Sequence, residues 1–237
     1  MKLSIIIPLY NEGSNIITLL EQLINVQYPD SLIAVEYVIV DDCSTDNSFD
    51  VVSLFIKDKP EFVLLKHDFN KGKGAAVKTG IFSAKGDVFL IQDSDLELSP
   101  SDIPSMVNAM NLLGVEFING SRYLPGIPRP LASYKRYWGN KIFTNLTSVV
   151  INVKLTDMAC GYKLIHRNLY QKINLMEDRF GFEAELIIKA LRIKKNNIAE
   201  VPVKYFPRNY GEGKKLRNTD AFKILWTIFK YGVLGLK

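Results

Sequence analysis

Two cysteines, Cys43 and Cys160, are all that the 237-residue chain contains. They stand far apart and lack metal-ligand spacing, which argues against a disulfide framework and for a reducing compartment. Long apolar runs are missing as well. The opening MKLSIIIPLYNE carries too short an apolar stretch for a secretory signal, and Pro8 interrupts it, so it reads as a first strand. No linker, internal repeat or low-complexity segment divides the chain, and the expectation is one domain over residues 1–237 with no transmembrane domain. A strong charge of one sign is also lacking: 30 Lys and Arg against 25 Asp and Glu leave +5. That balance suits phosphorylated ligands or an anionic membrane surface. Because the basic residues are not interleaved with aromatics along one element, nucleic acid is not expected as a partner.

What is present is a set of short apolar runs rich in Val and Ile, at Leu3 to Ile7, Val35 to Val40, Phe62 to Leu65 and Val88 to Ile91. Continuous runs of this length are the mark of strands buried on both faces, hence of a parallel sheet. Between them lie helical spacings: Ile16 to Ile24 after a Ser14 cap, Phe49 to Ile56 after STDNS, and a third opening at GKGAAVKTG. Strand and helix in alternation predict an α/β fold. Beyond Pro100 the expected elements are helices over Ile103–Leu113, Ile142–Val150 and Glu183–Arg192, strands at VEFING and AEVPVKYF, and a final amphipathic helix.

Three of the strands run straight into acids: Glu12 after the first, Asp41 and Asp42 after the second, and Asp93, Asp95 and Glu97 after the fourth. An unpaired buried carboxylate is expensive, so these acids are expected to leave the core together. In a parallel sheet they do so along one edge, where open α/β folds bind ligands. Residues two apart on extended chain face the same way, so Asp93, Asp95 and Glu97 are expected to converge on one cation, and all-oxygen ligands suit Mg²⁺ or Mn²⁺. The glycine cluster NKGKGAAVKTG misses both the phosphate-loop and the dinucleotide patterns. Gly72 and Gly74 serve equally well as a tight turn into a helix or as a diphosphate site in which Lys71 and Lys73 flank the helix amino terminus.

Taken in order, IIIPLYNE, VIVDDCSTD, NKGKGAAVKTG, QDSDLE, GSRY, DMACGYK, GFEAEL and VPVKYFPRNYGEGKK cover nearly the whole chain. Together they resemble the inverting family-2 glycosyltransferases of the GT-A fold, in particular the dolichyl-phosphate mannose or glucose synthases and their polyprenyl-phosphate relatives. The resemblance implies a mostly parallel sheet flanked by helices and transfer of a glucose or mannose from a UDP- or GDP-sugar to a polyprenyl or dolichyl phosphate. It implies nucleotide contacts from Pro8, Tyr10, Glu12 and Asp42, sugar-nucleotide contact from Asp93, and a metal held by Asp95 and Glu97. Lys73 joins the donor side. Arg122, Arg136, Arg208 and Lys214 resemble the family's acceptor-phosphate cluster, although any one of them alone reads as a surface residue. Asp95 and Asp157 are the expected catalytic carboxylates, Asp157 as a base, an orienting group or a loop cap. Glu183 and Glu185 open a helix, where acids are favourable anyway, and Cys160 reads as a packed residue.

Two departures from the family pattern stand out: Cys43 where Gly is usual after the paired acids, and Gly213 where Ser is usual before Lys214. DLELSP replaces the mannose-type continuation. The alternative activity is a family-2 transferase acting on a hydroxyl of a soluble or polysaccharide acceptor, in which Asp157 must serve as base. The last segment places Phe222, Leu225, Trp226, Phe229 and Val233 on one stripe with Lys223 and Lys230 beside it, a core-packed or interfacial helix. A lipid acceptor implies a cytoplasmic protein in peripheral contact with a membrane, directly or through a partner protein.

Overall fold

The computed structural model describes residues 1–128, 133–179, 181–194, 197–208 and 218–235; within these, the side chains of Lys135, Arg136 and residues 218–220 are not described. Seven strands form one sheet in the order β3-β2-β1-β4-β6-β5-β7. They are β1 (Lys2–Leu9), β2 (Ala34–Asp41), β3 (Phe62–Lys66), β4 (Val88–Ile91), β5 (Phe117–Ser121), β6 (Lys163–His166) and β7 (Ala199–Pro202). Pairing is parallel throughout except at β6, which runs antiparallel to both β4 and β5. The carboxyl ends of β1, β2, β4, β5 and β7 therefore share one edge.

Alternation along the strands divides the core into two layers. Ile6, Val38 and Val40 face one cluster with Ala76 and Ile81 of α3 (Lys73–Ser83) and Ile187 of α7 (Phe182–Lys194). Leu3, Ile5, Ile7 and Ile39 face another with Leu19 and Leu23 of α1 (Ile16–Ile24), Val52 of α2 (Ser48–Phe55) and Val107 of α4 (Ile103–Leu113). Burying a residue such as Ile6 or Leu19 completely stabilises the fold by roughly 1.5–3 kcal/mol. Gly80 lets α3 lie close on β1, because a Cβ there would sit 2.6 Å from the Ile6 side chain.

Several expected elements come out differently. The cap of α1 is Asn15, not Ser14; its amide bonds the Glu12 carboxylate at 2.8 Å. Helix α5 runs from Tyr134 to Ile151, beginning eight residues before the expected Ile142. The strand expected over AEVPVKYF stops at Pro202, with one isolated bridge at Tyr205 to Leu98. Strand β6 and the one-turn helix α6 (Arg167–Tyr170) were not foreseen. The final segment is α8 (Asn218–Thr227) running into a π-helical turn over Ile228–Val233.

Candidate active site

The acids at the sheet edge do not all leave the core. Asp41 and Asp42 are buried at 0% and 3% exposure. Asp42 is accommodated because both its oxygens accept hydrogen bonds: Oδ1 from His67 Nδ1 (2.7 Å) and Lys71 N (2.8 Å), Oδ2 from Gly72 N (2.7 Å). Asp41 Oδ2 accepts from Ser44 N at 3.2 Å, while its Oδ1 is buried with no hydrogen-bond partner among the described residues. Cys43, next in the chain, sits at φ +61°, a conformation that favours glycine and accounts for why glycine suits this turn.

The glycine cluster is a tight turn. Gly72 has φ +107°, and a Cβ there would meet Asp178 O at 2.6 Å. The amino terminus of α3, expected to offer free N–H groups, is satisfied in part from within the protein. Asp42 takes the N–H groups of Lys71 and Gly72, and Asp178 O takes that of Ala75 at 3.1 Å. What the turn presents to the edge is the Lys73 side chain, whose ammonium bridges Asp93 and Glu183 at 2.7 Å each. Burial disfavours that charge, but the two carboxylates outweigh it and raise its pKa well above the ordinary lysine value.

A cavity of about 310 Å³ opens here, lined by Pro8, Tyr10, Glu12, Asp42, Lys73, Asp93 and Asp95 among others. Asn70, Arg179 and Glu183 complete its wall, and Arg179 bonds the Asn70 carbonyl at 3.0 Å. The sequence assigns seven of these residues to the site and places Glu183 at a helix start; Asn70 it carries only as the first residue of NKGKGAAVKTG, and Arg179 lies in no patterned position. A wider groove of about 1000 Å³ runs between α1 and Ser99–Pro104, and among the described residues Glu21 is the one charged group on its wall.

After β4 the chain does not stay extended. Leu96 adopts φ +60°, and Asp95 Oδ1 accepts the Glu97 N–H at 3.1 Å, closing a turn. The expected convergence of Asp93, Asp95 and Glu97 on one cation is thereby corrected. Asp93 turns to Lys73, and among the described residues no three His, Cys, Asp or Glu groups are placed to hold a metal ion. Asp95 and Glu97 remain neighbours. Burial, then the charges of Asp93 and Glu97, push the Asp95 carboxyl up to about 7. Arg208 crosses over the same turn: its Nε donates to Asp95 O (2.9 Å), its Nη2 to Glu12 Oε1 (2.8 Å).

Beside this turn lies a second charged group. Asp157 is wholly buried, and it accepts from Arg122 Nε (2.7 Å), Nη2 (2.9 Å) and backbone N (3.0 Å), and from Asn140 Nδ2 (2.8 Å). Burial raises its pKa, but Arg122 and Asn140 outweigh that and hold the carboxyl below its ordinary value. Arg122 stands 5.2 Å over the Tyr205 ring and spends two of its five side-chain N–H donors on Asp157. Two supports went unforeseen. Lys163, fully buried on β6, donates to the carbonyls of Met158 (3.1 Å) and Cys160 (2.7 Å) and so braces the loop that carries Asp157. Glu200 on β7 accepts from Thr156 N (2.9 Å). Gly161 passes so close to Asp93 that a Cβ would lie 2.2 Å from its Oδ2.

Of the remaining expected residues, Glu185 is structural: its carboxylate caps Met176 N and Glu177 N and pairs with Lys189. Cys160 is buried, and burial pushes its thiol up to about 12, which suits packing. The Arg136 side chain and the whole of Lys214 lie outside the described residues.

A doubly wound sheet with carboxylates, a bridged lysine and arginine–carboxylate pairs along its carboxyl edge is the architecture of nucleotide-sugar transferases, and the chain belongs to glycosyl transferase family 2, whose model matches residues 4–173. It is 28% identical over 97% of its length to a dolichol-phosphate mannosyltransferase of Pyrococcus furiosus, spanning 63% of that protein. It is 26% identical over 90% of its length to a dodecaprenyl-phosphate galacturonate synthase of Rhizobium johnstonii, spanning 62%. Among solved structures, glucosyl-3-phosphoglycerate synthase of Mycobacterium tuberculosis, in complex with Mn²⁺, UDP and its product, superposes with TM-score 0.74 at 16% identity. That match covers 98% of this chain and 80% of that one. The likeness at that identity establishes the GT-A fold.

Proposed function

We propose that the protein transfers a hexose from a UDP- or GDP-sugar to a polyprenyl phosphate, inverting the configuration at C1, beside a membrane. The observation that carries this reading is the state of Asp157. A hydroxyl acceptor needs a base, and Asp157, the candidate for that task, is sealed from solvent with its oxygens committed to Arg122 and Asn140. A phosphate acceptor needs none. Its second pKa near roughly 6 leaves it anionic at neutral pH, and it requires guanidinium groups held in place. Asp157 is then a positioning residue for Arg122.

In the transfer, an oxygen lone pair of the acceptor phosphate forms the new bond to C1 on the face opposite the leaving group. The C1–O bond to the donor diphosphate breaks, and its electron pair departs with the diphosphate. No proton need move. Lys73 and Arg179 line the cavity where the diphosphate would sit, and Pro8, Tyr10, Glu12 and Asp42, on the same wall, would surround the nucleotide. Arg122 and Arg208 face the acceptor, joined by Arg136 and Lys214 on the strength of their motifs.

Mg²⁺ or Mn²⁺ fits the donor set. Asp95 and Glu97 supply hard oxygens, and the Asp95 carboxyl, pushed up first by burial and then by the charges of Asp93 and Glu97, is one that a divalent charge would favour in its ionised form. Two carboxylates plus substrate phosphates is a common way to hold Mg²⁺. When bound, the ion compensates charge on the departing diphosphate.

Asp95→Ala is expected to abolish transfer, and a chelator to abolish it in the wild type. Arg122→Gln and Arg208→Gln are expected to raise the KM for polyprenyl phosphate at least tenfold more than that for the sugar nucleotide. Full activity in chelator, or equal losses for both substrates, contradicts the assignment.

A further inference from the structure

Strand register sets three polar side chains in one row across the sheet. Asn119 of β5 stands opposite Lys163 of β6 on one side and opposite Glu200 of β7 on the other. Directly opposed side chains on neighbouring strands interact, and these do. Lys163 Nζ donates to Asn119 Oδ1 at 3.1 Å, and Asn119 Nδ2 donates to Glu200 Oε1 at 2.9 Å, so one amide joins a cation to an anion. Lys163 and Asn119 are wholly buried. Two residues along the same strand faces, Phe117 and Ile165 form ordinary core. Apolar side chains could fill the polar row as well, without the desolvation that buried charge carries; its charges have a use other than packing.

That use is the loop over residues 156–160, to which the rest of the row turns. Lys163 gives its other two N–H groups to Met158 O (3.1 Å) and Cys160 O (2.7 Å); with Asn119 Oδ1 that makes three acceptors, and only an ammonium has three protons to give. Asn119 Nδ2 also donates to Asp157 O at 2.8 Å. Glu200 accepts from Thr156 N (2.9 Å) and Thr156 Oγ1 (2.7 Å), and from Asp157 N (3.4 Å). The cation thus takes later carbonyls of the loop and the anion its earlier N–H groups. Ser121, two residues beyond Asn119 on β5, adds a 2.6 Å bond between its hydroxyl and that of Thr156. Between these holds lies Asp157, which takes the Nε, Nη2 and backbone N of Arg122.

We propose that Lys163, Asn119 and Glu200 are positioning residues for transfer: holding the 156–160 loop from both ends, they fix Asp157 and, through it, the direction in which the Arg122 guanidinium faces the acceptor phosphate. This deepens the reading of a phosphate acceptor and rests on it. None of the three lines the donor cavity, so their effect falls on the acceptor side.

Steady-state kinetics with polyprenyl phosphate, and calorimetry with UDP- and GDP-hexoses in the absence of acceptor, separate the two sides. Asn119→Leu and Glu200→Gln are expected to raise the acceptor KM about fivefold or more, roughly the worth of one buried hydrogen bond, and to leave sugar-nucleotide affinity as in wild type. Thr156→Val removes a single hydroxyl, is the variant least disturbing to the fold, and should move the same parameter in the same direction. A merely structural role lowers the amount of active protein, and with it the apparent kcat, without moving KM. In an Arg122→Gln background Asn119→Leu should raise the acceptor KM no further, because residues acting as a unit are not additive. An unchanged acceptor KM in the row variants overturns the proposal, as does an equal loss of donor affinity or full additivity with Arg122→Gln. If Arg122→Gln itself leaves the acceptor KM unchanged, the acceptor reading fails and the positioning role falls with it; a rise for Arg122→Gln that the row variants do not share sinks this proposal alone.

Discussion

Asp157 and Arg122 hold each other in a region neither could occupy alone. Breaking such a buried pair from one side costs roughly 3–5 kcal/mol, so Asp157→Ala is expected to lower the melting temperature sharply. Asp157→Asn keeps the shape and exposes the pH dependence. Because the folded-state pKa is depressed below the ordinary 3.8, the pair's contribution is complete above that pH and is lost as the pH falls through the folded value. The stability difference between wild type and Asp157→Asn should be constant near neutrality and shrink in acid; denaturant midpoints across pH measure it, and a difference that grows in acid contradicts the pairing. His67 works through another residue too. It bonds Asp42 with one ring nitrogen and Thr79 (2.9 Å) with the other, and Asp42 in turn fixes the turn that presents Lys73. His67→Phe should weaken nucleotide binding about tenfold, roughly the worth of one charge-assisted hydrogen bond, with kcat nearly unchanged. His67→Asn, which restores a donor toward Asp42, should recover part of that loss; titration calorimetry with UDP and GDP reads both variants, and equal affinity across all three proteins removes His67 from the site.

Among the elements, β6 does more for the site than its four residues suggest. It carries Lys163 beneath the Asp157 loop and follows Gly161, whose missing side chain lets Asp93 reach Lys73. Gly161→Ala should displace Asp93, destabilise the fold by about 1–3 kcal/mol, and weaken donor binding; unchanged melting and unchanged nucleotide affinity would show that the close approach is not needed. The sequence could not reveal this strand, because a buried lysine in KLIH breaks the apolar run that made β1, β2 and β4 legible. Helix α5 was half-read for a related reason: periodicity reports an apolar stripe but not which way it faces, and its first two turns, YKRYWGN, are polar and aromatic. The cavity wall from Pro8 to Asp95 was legible because parallel strands must deliver their carboxyl ends to one edge. The exact use of each acid was not. Which oxygen caps a turn, as Asp42 does, and which one pairs with Lys73, as Asp93 does, depends on the turns after the strands, where Cys43 takes a left-handed conformation at a position where glycine is usual and Leu96 takes one that no pattern announced.

At the scale of the whole molecule, one edge of the sheet carries donor cavity, paired acids and arginines, and α5 joins that edge through Asn140, which donates to Asp157 at 2.8 Å. Among the described residues no helix is long and apolar enough to cross a membrane. The chain spans just under two thirds of its Pyrococcus and Rhizobium relatives. The account stands on the claim that the acceptor arrives already ionised, so that the protein positions a phosphate and removes no proton. Offering the purified chain radiolabelled UDP- and GDP-hexoses with Mg²⁺ or Mn²⁺, and a polyprenyl phosphate beside its unphosphorylated alcohol, tests that claim directly. Label is predicted in the lipid phosphate alone, with inverted anomeric configuration. Label in the free alcohol at a comparable rate would contradict it.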